Sequence, residues 1–230
     1  MTSPSSSPEH PGPTAVRALT TPRAAAAAGI LFAILFAIVI VLVRSAIPEG
    51  SDLSFEGIGR HSAISTAAIL MPFAGICFLW FIAVVRDNFR AVEDRFFVTV
   101  FLGSGLLFLA MMFVSMAIAK GLVSAEAAAA GTMSEDTRAF GEMMVLTTSK
   151  TYATRMAAVF MISLATIWLR TGLMPRWLVV LTLLTAVAEL VAGDVSIWVA
   201  MAFPVWVLVV SALLLTRAGV FEQVRRHMHD

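Results

Sequence analysis

The chain has one cysteine, two lysines and few charges of either sign. A single thiol, Cys77, cannot close an internal disulfide, so cysteine usage gives no reading of the redox compartment. Charged residues make up 13% of the 230 residues, where a soluble domain has about 25%. That shortage argues against a soluble globular fold. The basic residues do not form a cluster interleaved with aromatics, which argues against a nucleic-acid surface. Histidine is scarce too: His10, His227 and His229 lie near the chain ends and His61 at the edge of an apolar segment. Haem held between helices takes its axial ligands from within the spans, and none is available there. No cofactor, metal site or catalytic motif is expected.

Apolar sequence is what remains. Six long runs cover Ala24–Val43, Ser62–Val85, Phe96–Ala119, Ala153–Leu169, Trp177–Ala192 and Val195–Leu215, and arginines fence them off. A helix of about 20 apolar residues matches a hydrocarbon core of roughly 30 Å. The expected fold is therefore all-α: a polytopic bundle of six transmembrane helices over 24–216. A Ser/Pro-rich tail at 1–23 precedes it and has the composition of a disordered segment. The first run is too long for a signal-peptide core, and no small-residue cleavage site follows it, so it reads as a retained anchor. A short basic amphipathic tail at 217–230 follows the bundle, with Val220, Phe221, Val224 and Met228 on one helical face.

Arginine placement gives an orientation. With the N-terminus inside, the inner segments hold Arg17, Arg23, Arg86, Arg90, Arg95, Arg170, Arg176, Arg217, Arg225 and Arg226, against Arg44, Arg60, Lys120, Arg138 and Lys150 outside. The positive-inside rule then makes both termini cytoplasmic, in a multi-pass protein of the cell inner membrane. Gly193-Asp194 is the only break between the fifth and sixth runs and predicts a tight outer hairpin. Residues 120–152 form the largest segment outside the runs. Ser134-Glu135-Asp136 reads as a helix start, a cap followed by acids that complement the helix dipole. The helix after it either lies on the outer membrane surface or extends the fourth span outward.

Several residues inside the spans carry candidate chemistry. Arg155 and Glu189 fall at matching depth on antiparallel neighbours, roughly 18–21 Å above the inner boundary. A lone charge that deep costs at least about 2.5–3.5 kcal/mol. A structural ion pair, or an arginine reaching for the outer surface, accounts for them without function; a proton- or substrate-coupled site is the sharper account. Pro72 and Pro204 sit mid-span and predict helix kinks. Such breaks line substrate sites in transporters, though proline is also frequent in ordinary membrane helices. Gly103-Ser104-Gly105 predicts close helix packing, with Ala63, Ala67 and Gly75 as the facing surface. Trp168, Trp177 and Trp198 fit an aromatic belt, whereas Trp206 sits too deep for one.

The stretch Phe78-Leu79-Trp80-Phe81-Ile82, then Arg86-Asp87, then Glu93-Asp94-Arg95-Phe96 onward to Phe108, resembles a group of small multi-spanning membrane proteins of actinobacteria. The resemblance covers the second and third spans only. It implies a fold type and a bacterial inner membrane, and it carries no site residues over.

These features point to an integral membrane protein that acts by binding, with lipids around it. Its partner is a lipid, a lipophilic small molecule, a membrane partner or a second copy. The alternative is a small proton-coupled permease using Arg155 and Glu189. An intramembrane enzyme ranks third, because only Arg60-His61 with nearby acids offers the clustering it needs.

Overall fold

A computed structural model describes residues 22–47, 58–87, 95–129, 132–193 and 198–227. Among these there is no strand. The helices are α1 (Pro22–Ala46), α2 (Ile58–Asp87), α3 (Arg95–Ala128), α4 (Glu135–Leu146), α5 (Thr154–Thr171), α6 (Arg176–Ala192) and α7 (Ala202–His227). A π-helical segment, Thr147–Ala153, joins α4 to α5, and a 3₁₀ turn, Val199–Met201, leads into α7.

Five segments are long and apolar enough to cross a membrane: Ala26–Ala46, Gly59–Arg86, Phe96–Ala128, Glu135–Thr171 and Val199–Thr216. The chain is a multi-pass membrane protein. The fifth expected span, α6, has 17 residues, or about 25 Å of helix, slightly under the roughly 30 Å core. The Gly193-Asp194 hairpin expected before the last span falls at the edge of the described residues, which stop at Gly193 and resume at Trp198. α6 ends at Ala192, and the Gly193 N–H donates to the Glu189 carbonyl at 3.0 Å. Asp194, the tail at 1–21 and the side chains beyond 216 lie outside the described residues, and with them the expected amphipathic C-terminal face.

The segment before α5 is part of one continuous rod. Leu146, Ala153 and Thr154 all keep right-handed helical angles, so Glu135–Thr171 runs without a break through the π segment. Ser134 caps its start: its hydroxyl accepts from the Thr137 N–H at 3.3 Å. The extending helix, rather than a separate surface helix, is what forms.

Around the bundle, α7 packs on α1, α1 on α2, α2 on α3, α3 on α5 and α5 on α6. The ring closes weakly, because α6 touches α7 far less than it touches α5. Each helix turns one stripe inward. In α1, Phe32, Phe36, Val39, Ile40 and Val43 are buried, while Leu31, Ile34, Ile38 and Val41 are exposed. Exposed apolar stripes of this kind suit lipid, since the bundle supplies no other cover. The core is aromatic. The Phe78 ring lies 4.6 Å from Phe32, 5.4 Å from Phe160, 5.5 Å from Phe108 and 5.7 Å from Phe203, centroid to centroid.

Small residues let some helices approach closely, but not all of those expected. A Cβ at Gly105 would meet Ile82 at 2.8 Å and Phe160 at 3.1 Å, and one at Gly75 would meet Phe113 at 2.5 Å. At Gly103 a Cβ would meet nothing within 4 Å, so that glycine takes no part in the packing expected of it. The tightest approach is at Gly29, where a Cβ would lie 2.0 Å from Ser211 Oγ on α7.

Candidate functional site

Glu189 is fully buried, with 0% of its surface exposed. It sits in the last turn of α6, on the wall of a central cavity. α1 contributes Phe36, Val39, Ile40 and Val43 to that cavity; α3 contributes Phe108, Met112 and Met116. The rod adds Ser149, Thr154 and Ala157, and the start of the last span adds Ala200 and Phe203. The wall is apolar apart from the carboxylate and two hydroxyls. The space open to the centre of a water molecule is about 20 Å³, enough for roughly one water.

Neither Glu189 oxygen accepts a hydrogen bond from any described residue. The backbone N–H of Phe203 turns its partial positive charge toward the group, but it does not complete a hydrogen bond. An ionised carboxylate offers about four lone-pair sites, and leaving them all unmet in an apolar interior is costly.

The hydrogen-bonded pair expected between Arg155 and Glu189 is absent. The depth match holds: Gly193, one turn beyond Glu189, packs against Thr154 Cγ2 and the Lys150 carbonyl. The facing does not. Thr154 and Ala157 are the α5 residues on the cavity wall. Arg155 is one residue round from Thr154, about 100° on a helix, and it donates through Nη1 to the Thr151 carbonyl at 3.2 Å. A structural ion pair therefore does not account for Glu189.

Of the two prolines expected mid-helix, only one lies there. Pro204 is the third residue of α7, just after the 3₁₀ turn. Trp198 and Ala202 both keep right-handed helical angles, so the described span Val199–Thr216 runs through the turn, and Pro204 lies near the beginning of that described span rather than at its middle. Pro72 does lie inside α2, but on an exposed face away from the cavity. Trp206, puzzling as an anchor, has a clear role. Its Nε1 donates to Thr182 Oγ1 at 2.8 Å in a buried bond that ties α7 to α6 across the weak seam. Trp168 is buried, 6.3 Å from Trp206, and so belongs to the core rather than to a belt. Trp177 and Trp198 are exposed.

Two features were not foreseen. One is the π segment. Hydroxyls hold it: Thr148 Oγ1 donates to the Met144 carbonyl at 2.7 Å, Ser149 Oγ to Val145 at 2.7 Å, and Thr154 Oγ1 to Ser149 at 3.1 Å. Ser115 of α3 adds a bond to the Val145 carbonyl at 3.0 Å. The hydroxyl-rich run Thr147-Thr148-Ser149-Lys150-Thr151 was the available signal, since such side chains compete for backbone carbonyls. π-Helical turns are rare and recur at functional sites. The other feature is a four-charge cluster. Arg60 Nη2 lies 2.6 Å from Glu142 Oε1, and Nη1 lies 3.6 Å from Glu126 Oε1. Arg138 Nε lies 3.4 Å from Glu142 and 3.8 Å from Glu126. It joins the start of α2, the end of α3 and α4, so Arg60 and these acids fasten helices together.

No group of three or more His, Cys, Asp or Glu able to hold a metal ion occurs among the described residues. Comparison with protein-family models, curated proteins and solved structures gave no match.

Proposed function

We propose that this protein lies in a bacterial inner membrane with both termini cytoplasmic, and that it acts by binding a lipophilic small molecule in the cavity beside Glu189. The excess of arginine on the side where α1 begins supports the orientation. The actinobacterial resemblance of the second and third spans supports the compartment. One observation carries the binding reading: a fully buried, unpartnered carboxylate on the wall of an otherwise apolar cavity. Pockets for small molecules are of this type, mostly apolar with a few placed polar groups. The walls can yield, because Met112 and Met116 are unbranched and adapt to shape.

Gentle purification into nanodiscs followed by native mass spectrometry tests this. A small molecule retained one to one, distinct from bulk lipid, is the expected result. A chain that arrives empty and takes up no lipophilic probe would overturn the reading.

A proton-coupled permease is the second reading, and the same carboxylate favours it. The Arg155 partner it relied on is not bonded to Glu189. Proton uptake into proteoliposomes that disappears in Glu189→Gln would select it over simple binding.

A further inference from the structure

We propose that the Glu189 cavity is an amine site, which receives the primary ammonium group of a molecule with an apolar chain. The inference rests on the binding reading above and names the chemistry of the ligand's polar end. Three side chains bring oxygen to the cavity wall: Glu189, Ser149 and Thr154. Both hydroxyls already direct their protons at backbone carbonyls, Ser149 at Val145 and Thr154 at Ser149. Toward a ligand each can therefore act only as an acceptor, as the carboxylate does. A wall of acceptors calls for donors. A primary ammonium has three N–H donors and a positive charge, one donor for each oxygen-bearing group and a counter-charge for the carboxylate.

Size and surroundings agree. The open space fits roughly one water, and an ammonium head is of similar size. A trimethylammonium head is much larger and has no donor. The rings of Phe36, Phe108 and Phe203 also line the cavity, and aromatic faces attract cations. Among the described residues the seam between α6 and α7 is the least packed side of the ring, and it gives an apolar chain a way out.

The experiment uses the full chain in nanodiscs of zwitterionic lipid, with empty nanodiscs as the baseline. The probes are n-decylamine, decyltrimethylammonium and n-decanol, read by native mass spectrometry and by thermal unfolding. Decylamine should bind one to one and raise the unfolding temperature. The other two should bind at least about tenfold more weakly, the scale of a lost charge-assisted bond. Glu189→Gln should bring the amine and the alcohol to within about twofold of each other. Thr154→Val keeps the carboxylate and the side-chain shape, and it should weaken amine binding several-fold; it serves if Glu189→Gln does not fold. Equal binding of all three probes would overturn the amine site and leave the binding reading standing. An amine preference that survives in both variants would overturn it too, because the amine would then sit elsewhere. Binding of none of the probes would overturn both.

Discussion

Two groups of charge lie toward the same end of the bundle and meet opposite fates. Arg60, Arg138, Glu126 and Glu142 come from three helices, balance one another and share contacts of 2.6 to 3.8 Å. Glu189 lies deeper and has no hydrogen-bond partner among the described residues. The first arrangement is what a structural role requires. Removing one member leaves the others uncompensated, so the cluster fastens the rod to α2 and α3. The second stabilises nothing that is visible in the fold. The proposed ligand site rests on a carboxylate kept in such a place.

The contrast is open to test by substitution, read as unfolding free energy in mild detergent. Arg60→Ala should cost the most, about 2–3 kcal/mol, because it strips Glu142 and Glu126 of their buried cation. A loss under about 0.5 kcal/mol would show that the cluster does not hold α4 in place. Trp206→Phe should cost about 1–1.5 kcal/mol, the net worth of one buried hydrogen bond. It should also loosen α6, measured as faster hydrogen exchange in Arg176–Ala192. Arg138→Ala should cost less than about 1 kcal/mol, since that side chain is 56% exposed. A loss as large as that of Arg60→Ala would mean that charge number, not burial, makes the cluster strong. Glu189→Gln should change stability by no more than about 0.5 kcal/mol, or raise it, because no bond is lost and a buried charge is removed. A loss near 2 kcal/mol would erase the contrast, since it would require a partner for the carboxylate in the folded chain.

Run length and arginine spacing made the helices legible before any coordinates. Hydrophobic period could not say which residue of a turn faces inward when all sides are apolar. That is why Arg155 and Glu189 matched in depth but not in direction. The same gap explains Gly103, which looked like a packing residue beside Gly105 but lies on the open face of α3. The charge cluster joins residues up to 82 positions apart, and no local pattern encodes that distance. Glu189 itself was legible, because a carboxylate inside an apolar run is conspicuous on any reading. Its loneliness was not, because that depends on where four other helices place their side chains.

The π segment has a consequence for how these two charge groups are related. A π turn holds one more residue than an α turn would. Delete a single residue from 147–153, and the rod can close as an ordinary α-helix. The α4 side then keeps nearly its present phase against α5, because the wide turn had absorbed the extra residue within a single turn of the rod. Keep every residue but force 147–153 into α geometry, and the α4 side turns by about 100° relative to α5: Arg138 and Glu142 would swing off Arg60, or Thr154 would turn away from the carboxylate. The wide turn thus keeps the phase of a screw, and only in that phase can the outer latch and the inner cavity be assembled on one continuous helix.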